Sequence, residues 1–391
     1  MFSQVEANNW YFRDSVGISF IRGEPEIINF KKFAAGGLPA SYSNKKGRLI
    51  FYGGLNKKSN KNEFYDSTGN LMLNSEFTNG NGSVEDSSQG FKLVIPHPDT
   101  SDLYYIFTSF GSELYYSNNI SFNFSLLDMR LNNGNGGFNK ENTVKKIIIK
   151  ENPGIATIHL TTALHKNQKD IWLISLVHFA DSTFFCCYKI SKNGINTSPV
   201  KDFISKNNYF YHFFRISPDN KKIVFSDSVN NFSIADFDNE TGKIRNIIRI
   251  PCKLTKGNML NFEFSNNSKF LYIIQNPLKI IQYDISLSSA LKIKNSVKTI
   301  DSSYKKSIFY PQLAPDGRIY IISALDSFIH VIHAPDSIGK YARSEKKYIK
   351  FKNKWQSGFP IFPSYLFEKK TILISKPCIN DTTHFIITDT N

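Results

Sequence analysis

The feature that most constrains this chain is a segment that occurs three times in its second half. Ile216-Ser217-Pro218-Asp219-Asn220-Lys221-Lys222-Ile223-Val224-Phe225 is followed by Phe264-Ser265-Asn266-Asn267-Ser268-Lys269-Phe270-Leu271-Tyr272-Ile273 and by Leu313-Ala314-Pro315-Asp316-Gly317-Arg318-Ile319-Tyr320-Ile321. Each passes from an apolar run through a polar Asp/Asn turn and a basic residue into a second apolar run. The step is 48 residues from Ser217 to Ser265 and 49 from Ser265 to Ala314. A second marker keeps that step: Asp236 in Ile234-Ala235-Asp236-Phe237, Asp284 in Gln282-Tyr283-Asp284-Ile285, and His333 in Val331-Ile332-His333-Ala334. Short β-type runs and turns repeating at such a period are the signature of propeller blades.

Tyr188 lies 48 residues before Asp236, so the register extends backwards into a unit holding Asp170-Ile171-Trp172-Leu173-Ile174 and Phe184 to Ile190. Earlier units run from Ala40 to Tyr52 and from Phe91 to Met129, each ending in Gly/Asn-rich punctuation. Six units result, with strand-like leftovers at both ends: Trp10-Tyr11-Phe12 with Gly17-Ile18-Ser19-Phe20, and Gly358-Phe359-Pro360-Ile361-Phe362-Pro363 with Tyr365-Leu366-Phe367. The expected fold is all-β, a β-propeller of seven four-stranded blades closed by N- and C-terminal strands, which would hide the open edges. Six and eight blades are the alternatives. Helical periodicity is weak throughout. Residues 1–370 form the expected propeller, and 371–391 read as the truncated start of a following immunoglobulin-like or PKD-like module, or as a tail.

Composition fits this reading. Aromatics make up 14% of 391 residues, with Phe 34 and Tyr 19, and flat rings suit the space between stacked sheets. The net charge of +15 comes from 48 basic residues spread along the whole chain. A nucleic-acid surface needs basic residues clustered on one face, so no specific nucleic-acid interface is expected. Non-specific attraction to anionic glycans needs only the charge. No apolar run approaches the ~20 residues that span a bilayer, and Met1 to Glu6 lacks the pattern of a signal peptide.

Candidate chemistry is sparse. Cys186, Cys187, Cys252 and Cys378 have no CxxC or zinc-ligand spacing. Strand alternation would point Cys186 and Cys187 to opposite faces as buried free thiols. His330 and His333 would likewise face apart, and His159 and His165 lack converging ligands for a metal. Asp236-Phe237-Asp238-Asn239-Glu240-Thr241-Gly242 gathers oxygen ligands but lacks the EF-hand spacing, and Asx turns account for it. Asp219, Asp316 and Gly317 read as turn residues. Tyr115-Tyr116 and Tyr209-Phe210-Tyr211 could stack on sugar rings, although packing is the commoner use of such residues. Nucleophile-elbow, Walker and dinucleotide motifs are absent. No catalytic, cofactor or metal residue is therefore assigned.

Almost the whole chain resembles the N-terminal propeller region of Bacteroidetes surface proteins that end in a gliding-motility-associated, type IX secretion sorting domain. The resemblance rests on Asn9-Trp10-Tyr11-Phe12, Gly47-Arg48-Leu49-Ile50-Phe51-Tyr52, Ser87-Ser88-Gln89-Gly90, Leu103 to Thr108 and Leu127-Asp128-Met129. Asp170 to Ile174, Asp236-Phe237-Asp238, Gln282-Tyr283-Asp284 and Leu313 to Tyr320 add to it. Arg13 stands where that family usually has Gly, and Ser265-Asn266-Asn267 replaces a fuller Ser-Pro-Asp turn. The resemblance implies an extracellular or cell-surface location and interaction work, and supplies no catalytic residues. The expected function is a non-enzymatic, adhesin-type module, a monomeric ring binding protein or glycan partners without cofactor. The alternatives are a polysaccharide hydrolase or lyase with carboxylates at the channel mouth, and a structural spacer. Convergent acids and arginines at that mouth would favour the enzyme; an apolar or mixed lining would count against it.

Overall fold

In the computed structural model the chain is a seven-bladed β-propeller. The structure describes residues 5–12, 15–30, 35–56, 61–76, 91–109, 122–139, 145–147, 155–179, 182–206, 213–228, 231–252, 261–275, 279–302, 309–323, 327–352, 358–368, 372–374 and 385–387. Seven antiparallel sheets follow one another along the chain. Their innermost strands are Asn9–Tyr11, Ala35–Ser43, Phe91–Pro96, Ile155–Leu164, Phe214–Ile216, Asn261–Phe264 and Phe309–Leu313, for blades 1 to 7. Each of these strands packs beside the next. Blades 3 to 7 carry four strand positions each. Blade 2 completes three strands with a short bridge from Tyr65 to Leu71, and blade 1 shows three among the described residues.

A blade is buried on both faces, which is why its central strands are apolar without clean alternation. The alternation survives as a choice between two neighbours. In blade 4, Ile171, Leu173, Val177 and Cys186 pack with Leu93, Ile95 and Phe107 of blade 3. Trp172, Ile174, Leu176 and Cys187 pack on the other side with Phe214, Ile216 and Phe225 of blade 5. The two adjacent cysteines thus enter different cores, as their strand position predicts. Burial pushes the Cys186 thiol up to about 12 and raises Cys187 well above its ordinary range, leaving both protonated and inert. Cys252 is also buried and in no disulfide, whereas Cys378 lies outside the described residues.

The repeated turn is built from its own side chains. Ser217 Oγ donates to Asp219 at 2.5 Å and accepts from the Lys222 N–H at 2.9 Å. Ser265 repeats both bonds, donating to Asn267 at 2.7 Å and accepting from Phe270 at 2.8 Å. In the third copy Asp316 accepts from the Arg318 N–H at 3.0 Å, and Gly317 takes φ +78°. The second marker also keeps its place, since Asp236 and Asp284 pair with the first residue of the preceding strand, Lys222 and Phe270.

Adjacent blades are further tied by an aromatic on the second strand. Trp172 Nε1 donates to the carbonyl of Asn239 in the next blade at 2.9 Å. Tyr272, in the same position of blade 6, donates to the carbonyl of Pro335 in blade 7 at 2.8 Å. Tyr320 of blade 7 packs edge-on against Trp10 and Phe20 of blade 1, with centroids 5.9 and 5.5 Å apart. Arg318 reaches Glu24 of blade 1 through two bonds of 2.6 and 2.7 Å.

The ring therefore closes between two separate blades. A blade shared by both termini was expected, but among the described residues no C-terminal strand pairs with blade 1. Pro360 and Pro363 explain the difference, because each removes a ladder N–H from the segment that would have been the closing strand. Residues 358–368 instead run along the inner strands. Phe359 packs on Trp10 and Phe12 at 4.9 and 5.8 Å, Ile361 makes a parallel bridge to Leu93, and residues 364–367 pack against Ile155–Leu164. Beyond it, Ile372–Ile374 and Phe385–Ile387 form a two-stranded sheet of their own.

The interlock is testable at Gly242, where φ is +74° and an added Cβ would stand 2.8 Å from the Trp172 ring. Gly242→Ala should lower unfolding free energy by about 1–3 kcal/mol in urea titrations, combining left-handed strain with overpacking. Gly23→Ala, with φ +87° and nothing within 4 Å, should cost only the strain of about 1 kcal/mol. Equal losses at the two sites would mean that the Trp172 contact carries no weight.

Candidate functional site: the central channel

Four innermost strands bring polar residues to one cavity: His159 and Thr161 from blade 4, Arg215 from blade 5, Asn261 from blade 6, and Tyr310 and Gln312 from blade 7. Phe213, Phe359 and Ile361 also line it, so the C-terminal segment is part of the wall. The volume is about 80 Å³. That is well below the ~300–1,000 Å³ of pockets that enclose a drug-sized ligand.

Arg215 is the centre of the polar arrangement. Its Nη2 lies 3.2 Å from Glu263 Oε2 and donates to the Pro311 carbonyl at 3.2 Å, while Nε donates to the Phe262 carbonyl at 3.4 Å. Glu263 also accepts from the N–H groups of Phe264 at 3.0 Å and Leu313 at 3.1 Å. One guanidinium and one carboxylate thereby link the inner strands of blades 5, 6 and 7. Burial raises the Glu263 carboxyl pKa, against the opposing pull of Arg215 and the two backbone donors. The His159 ring lies 4.2 Å from Phe213, and burial, assisted by the Arg215 charge, lowers its pKa to about 3. His159 is therefore neutral at neutral pH and a weak base. Glu263 has its oxygens committed to fixed donors, so the pair is built for positioning strands.

Arg215 and Glu263 escaped the sequence reading, although a signal was present. Glu263 follows Arg215 by 48 residues and Gln312 follows Glu263 by 49, so all three occupy one repeat position two residues before the turn. A charged residue inside Phe213-Phe214-Arg215-Ile216 and another inside Phe262-Glu263-Phe264 mark an inner-strand position that must find partners.

The residues weighed from sequence fall elsewhere. His165 lies just past the end of the strand Ile155–Leu164 that holds His159, and its Nδ1 accepts from the Asn167 N–H at 3.0 Å. His330 Nδ1 accepts from Lys347 N–H at 3.2 Å, and His333 pairs with Glu345 at 2.8 Å. The two histidines thus engage different partners. Asp238 accepts from the N–H groups of Glu240 and Thr241 at 3.0 and 3.2 Å and from the Thr241 hydroxyl at 2.7 Å, the Asx-turn pattern that the sequence predicts. Among the described residues no three His, Cys, Asp or Glu side chains could hold one metal ion. Among them, too, no helix is long and apolar enough to cross a membrane. Tyr115, Tyr116, Tyr209, Phe210 and Tyr211 lie outside the described residues.

No protein-family model matches the chain, and no curated protein matches its sequence. Solved structures do. The Dos1 propeller superposes with a TM-score of 0.52 and 11% identity, covering 91% of this chain and 88% of that one. The likeness shows a propeller fold. A protein from Bacteroides fragilis named as a 6-phosphogluconolactonase gives a TM-score of 0.49 and 11% identity over 90% of this chain and 96% of that one. Hsv2 of Kluyveromyces lactis gives 0.48 and 8% over 85% and 91%.

Two expectations follow from the channel geometry. Arg215→Met leaves Glu263 buried without its cation and should destabilise the ring by about 3–5 kcal/mol, with part of the loss recovered when Glu263→Gln is added. An unchanged urea midpoint for Arg215→Met would show that the strands do not depend on the pair. The histidine gives a pH signature. Its folded pKa of about 3 lies below the ordinary value of 6.5, so the unfolded chain binds a proton that the folded chain does not. The corresponding stability is fully present above 6.5 and is lost as pH falls towards 3. The drop in urea midpoint between about pH 7 and about pH 4.5 should be smaller for His159→Leu than for wild type.

Proposed function

We propose that this chain is a non-catalytic recognition module, a rigid ring that presents its connecting loops to macromolecular partners. The observation that carries the reading is the state of the channel. The site where a propeller enzyme would gather its catalytic groups is walled in part by Phe359 and Ile361, and its lining is mixed, with no Asp or Glu among the described residues that line it. Glycoside chemistry requires paired carboxylates flanking a bond, and this wall offers a neutral histidine, a committed arginine and amides. The sequence resemblance to Bacteroidetes surface propellers extends the reading to location: the module is displayed outside the cell and binds protein or glycan there.

The test applies the purified chain to intact cells of the source organism and to their envelope polysaccharide. The reading expects saturable binding at the cell surface, with no new reducing ends and no unsaturated sugar product. Release of either product would assign an enzyme instead. Protease shaving of intact cells, followed by mass spectrometry, checks the location. Peptides of this chain among the released material agree with surface display, and their recovery only from the soluble interior would overturn it.

A further inference from the structure

Ten large apolar side chains are exposed among the described residues. Four of them stand on the connections between the third and fourth strands of blades 6 and 7: Leu291 at 66% exposure, Val297 at 42%, Ile338 at 48% and Tyr341 at 65%. In blade 6 the connection carries helix α1, Ala290–Asn295, capped by Ser289 and anchored by the buried Ile293. In blade 7 it carries the 3-10 turn Gly339–Ala342, anchored by the buried Ala342.

The blade 7 connection is held to strands of blade 6 across the blade boundary. Gln282 of blade 6 donates to the Ser337 carbonyl at 2.8 Å and accepts from the Gly339 N–H at 2.8 Å. Gly339 in turn lies against the side chain of Lys298, with its added Cβ position 3.7 Å from Lys298 Cγ. Val297, Ile338 and Tyr341 are thereby brought to this boundary, while Leu291 stands on helix α1, which packs against Lys243–Pro251 of blade 5. Both connections are preformed, and ordering them on binding costs little.

Lysines alternate with them along the chain: Leu291-Lys292, Val297-Lys298 and Lys340-Tyr341. Lys292, Lys294, Lys298 and Lys340 are exposed and take part in no ion pair among the described residues, while the nearby Glu345 is held by His333. Lys340 Nζ lies 5.4 Å from the centre of the Tyr341 ring, which presents an aromatic group beside a cation. An exposed aromatic and aliphatic centre within a basic border is the arrangement of a protein-binding patch.

We infer that this rim of blades 6 and 7 binds an acidic polypeptide segment of a partner protein, one that interleaves carboxylates with apolar side chains. The inference rests on the recognition reading and names its surface and partner class. Charge selects an anionic occupant. The branched aliphatics select against a glycan, whose hydroxyls gain nothing from desolvating Leu291, Val297 and Ile338. Apolar residues set singly between lysines on an anchored rim also differ from the continuous apolar face by which an amphipathic helix enters a lipid surface.

The experiment selects a random displayed peptide library on the immobilised full chain, then measures the best peptide against Leu291→Asp/Tyr341→Asp and Lys298→Glu/Lys340→Glu by fluorescence anisotropy. Wild type should enrich peptides that combine Asp or Glu with Leu, Ile or Phe. Each double variant should lose about tenfold or more in affinity, which is about 1.4 kcal/mol. Unchanged thermal unfolding of the variants would show that the ring is intact. Enrichment with affinity retained by both variants overturns this surface and leaves the recognition reading standing. Failure to enrich any peptide, together with no binding to cells or envelope polysaccharide, overturns both. Phosphatidylglycerol vesicles form a parallel arm. Vesicle binding that the variants lose, without peptide binding, assigns the rim to a membrane and overturns the polypeptide proposal.

Discussion

Everything in this ring depends on how blade 7 meets blade 1. Each other blade follows its neighbour along the chain, but this junction joins residues about three hundred positions apart and carries the largest loop-closure cost. Two kinds of contact bridge it, and magnitudes separate their roles. The Arg318–Glu24 pair is bidentate, yet the Glu24 side chain is 67% exposed. A surface pair of that kind contributes about 0–1 kcal/mol. Trp10 and Tyr320 are fully buried, and Trp10 also contacts Phe20, Phe359 and Phe362. Burying one such aromatic contributes several times more than the ion pair. The aromatic cluster closes the ring, and Arg318 fixes the angle at which the blades meet.

That cluster also explains where residues 358–368 go. Trp10 needs apolar cover towards the ring centre, and Phe359 and Phe362 supply it. A segment with prolines at 360 and 363 serves as an apolar filler, since it leaves fewer backbone N–H groups to satisfy away from water. The closure and the narrowed channel are thus one packing event. The Arg215–Glu263 link stiffens the same wall from the other side.

What could be read from the sequence follows the range of the interactions. The turns at Ser217, Ser265 and Ala314 are local, so their side-chain bonds and the 48- and 49-residue steps were legible at once. The opposite burial of Cys186 and Cys187 was legible because a strand has period two. The Asx turn at Asp238 needed only its next three residues. The path of Phe359 to Phe367 was not legible, since an apolar run interrupted by proline fits an edge strand or a filler equally well until its neighbours are known. Arg215 and Glu263 lay between these cases. Their shared repeat position was visible, but their pairing requires the knowledge that consecutive blades place it side by side.

The same local bonds decide where the ring can vary. Ser217–Asp219, Ser265–Asn267, Asp238–Thr241 and Asp66–Thr68 tie tight turns to their own backbone, so the side chains there are already spent on geometry. The connections at 285–297 and 333–343 depart from that pattern. They are longer, their anchors Ile293 and Ala342 point inward, and beside the bonding side chains of Ser286, Ser289, Ser296 and Asp336 they carry apolar groups that hold no turn. Exposed aliphatic groups cost solubility and contribute nothing to the ring's own packing. Four of the ten large apolar side chains exposed among the described residues stand on these two connections, so the surface proposed to bind lies apart from the tight turns that hold the ring.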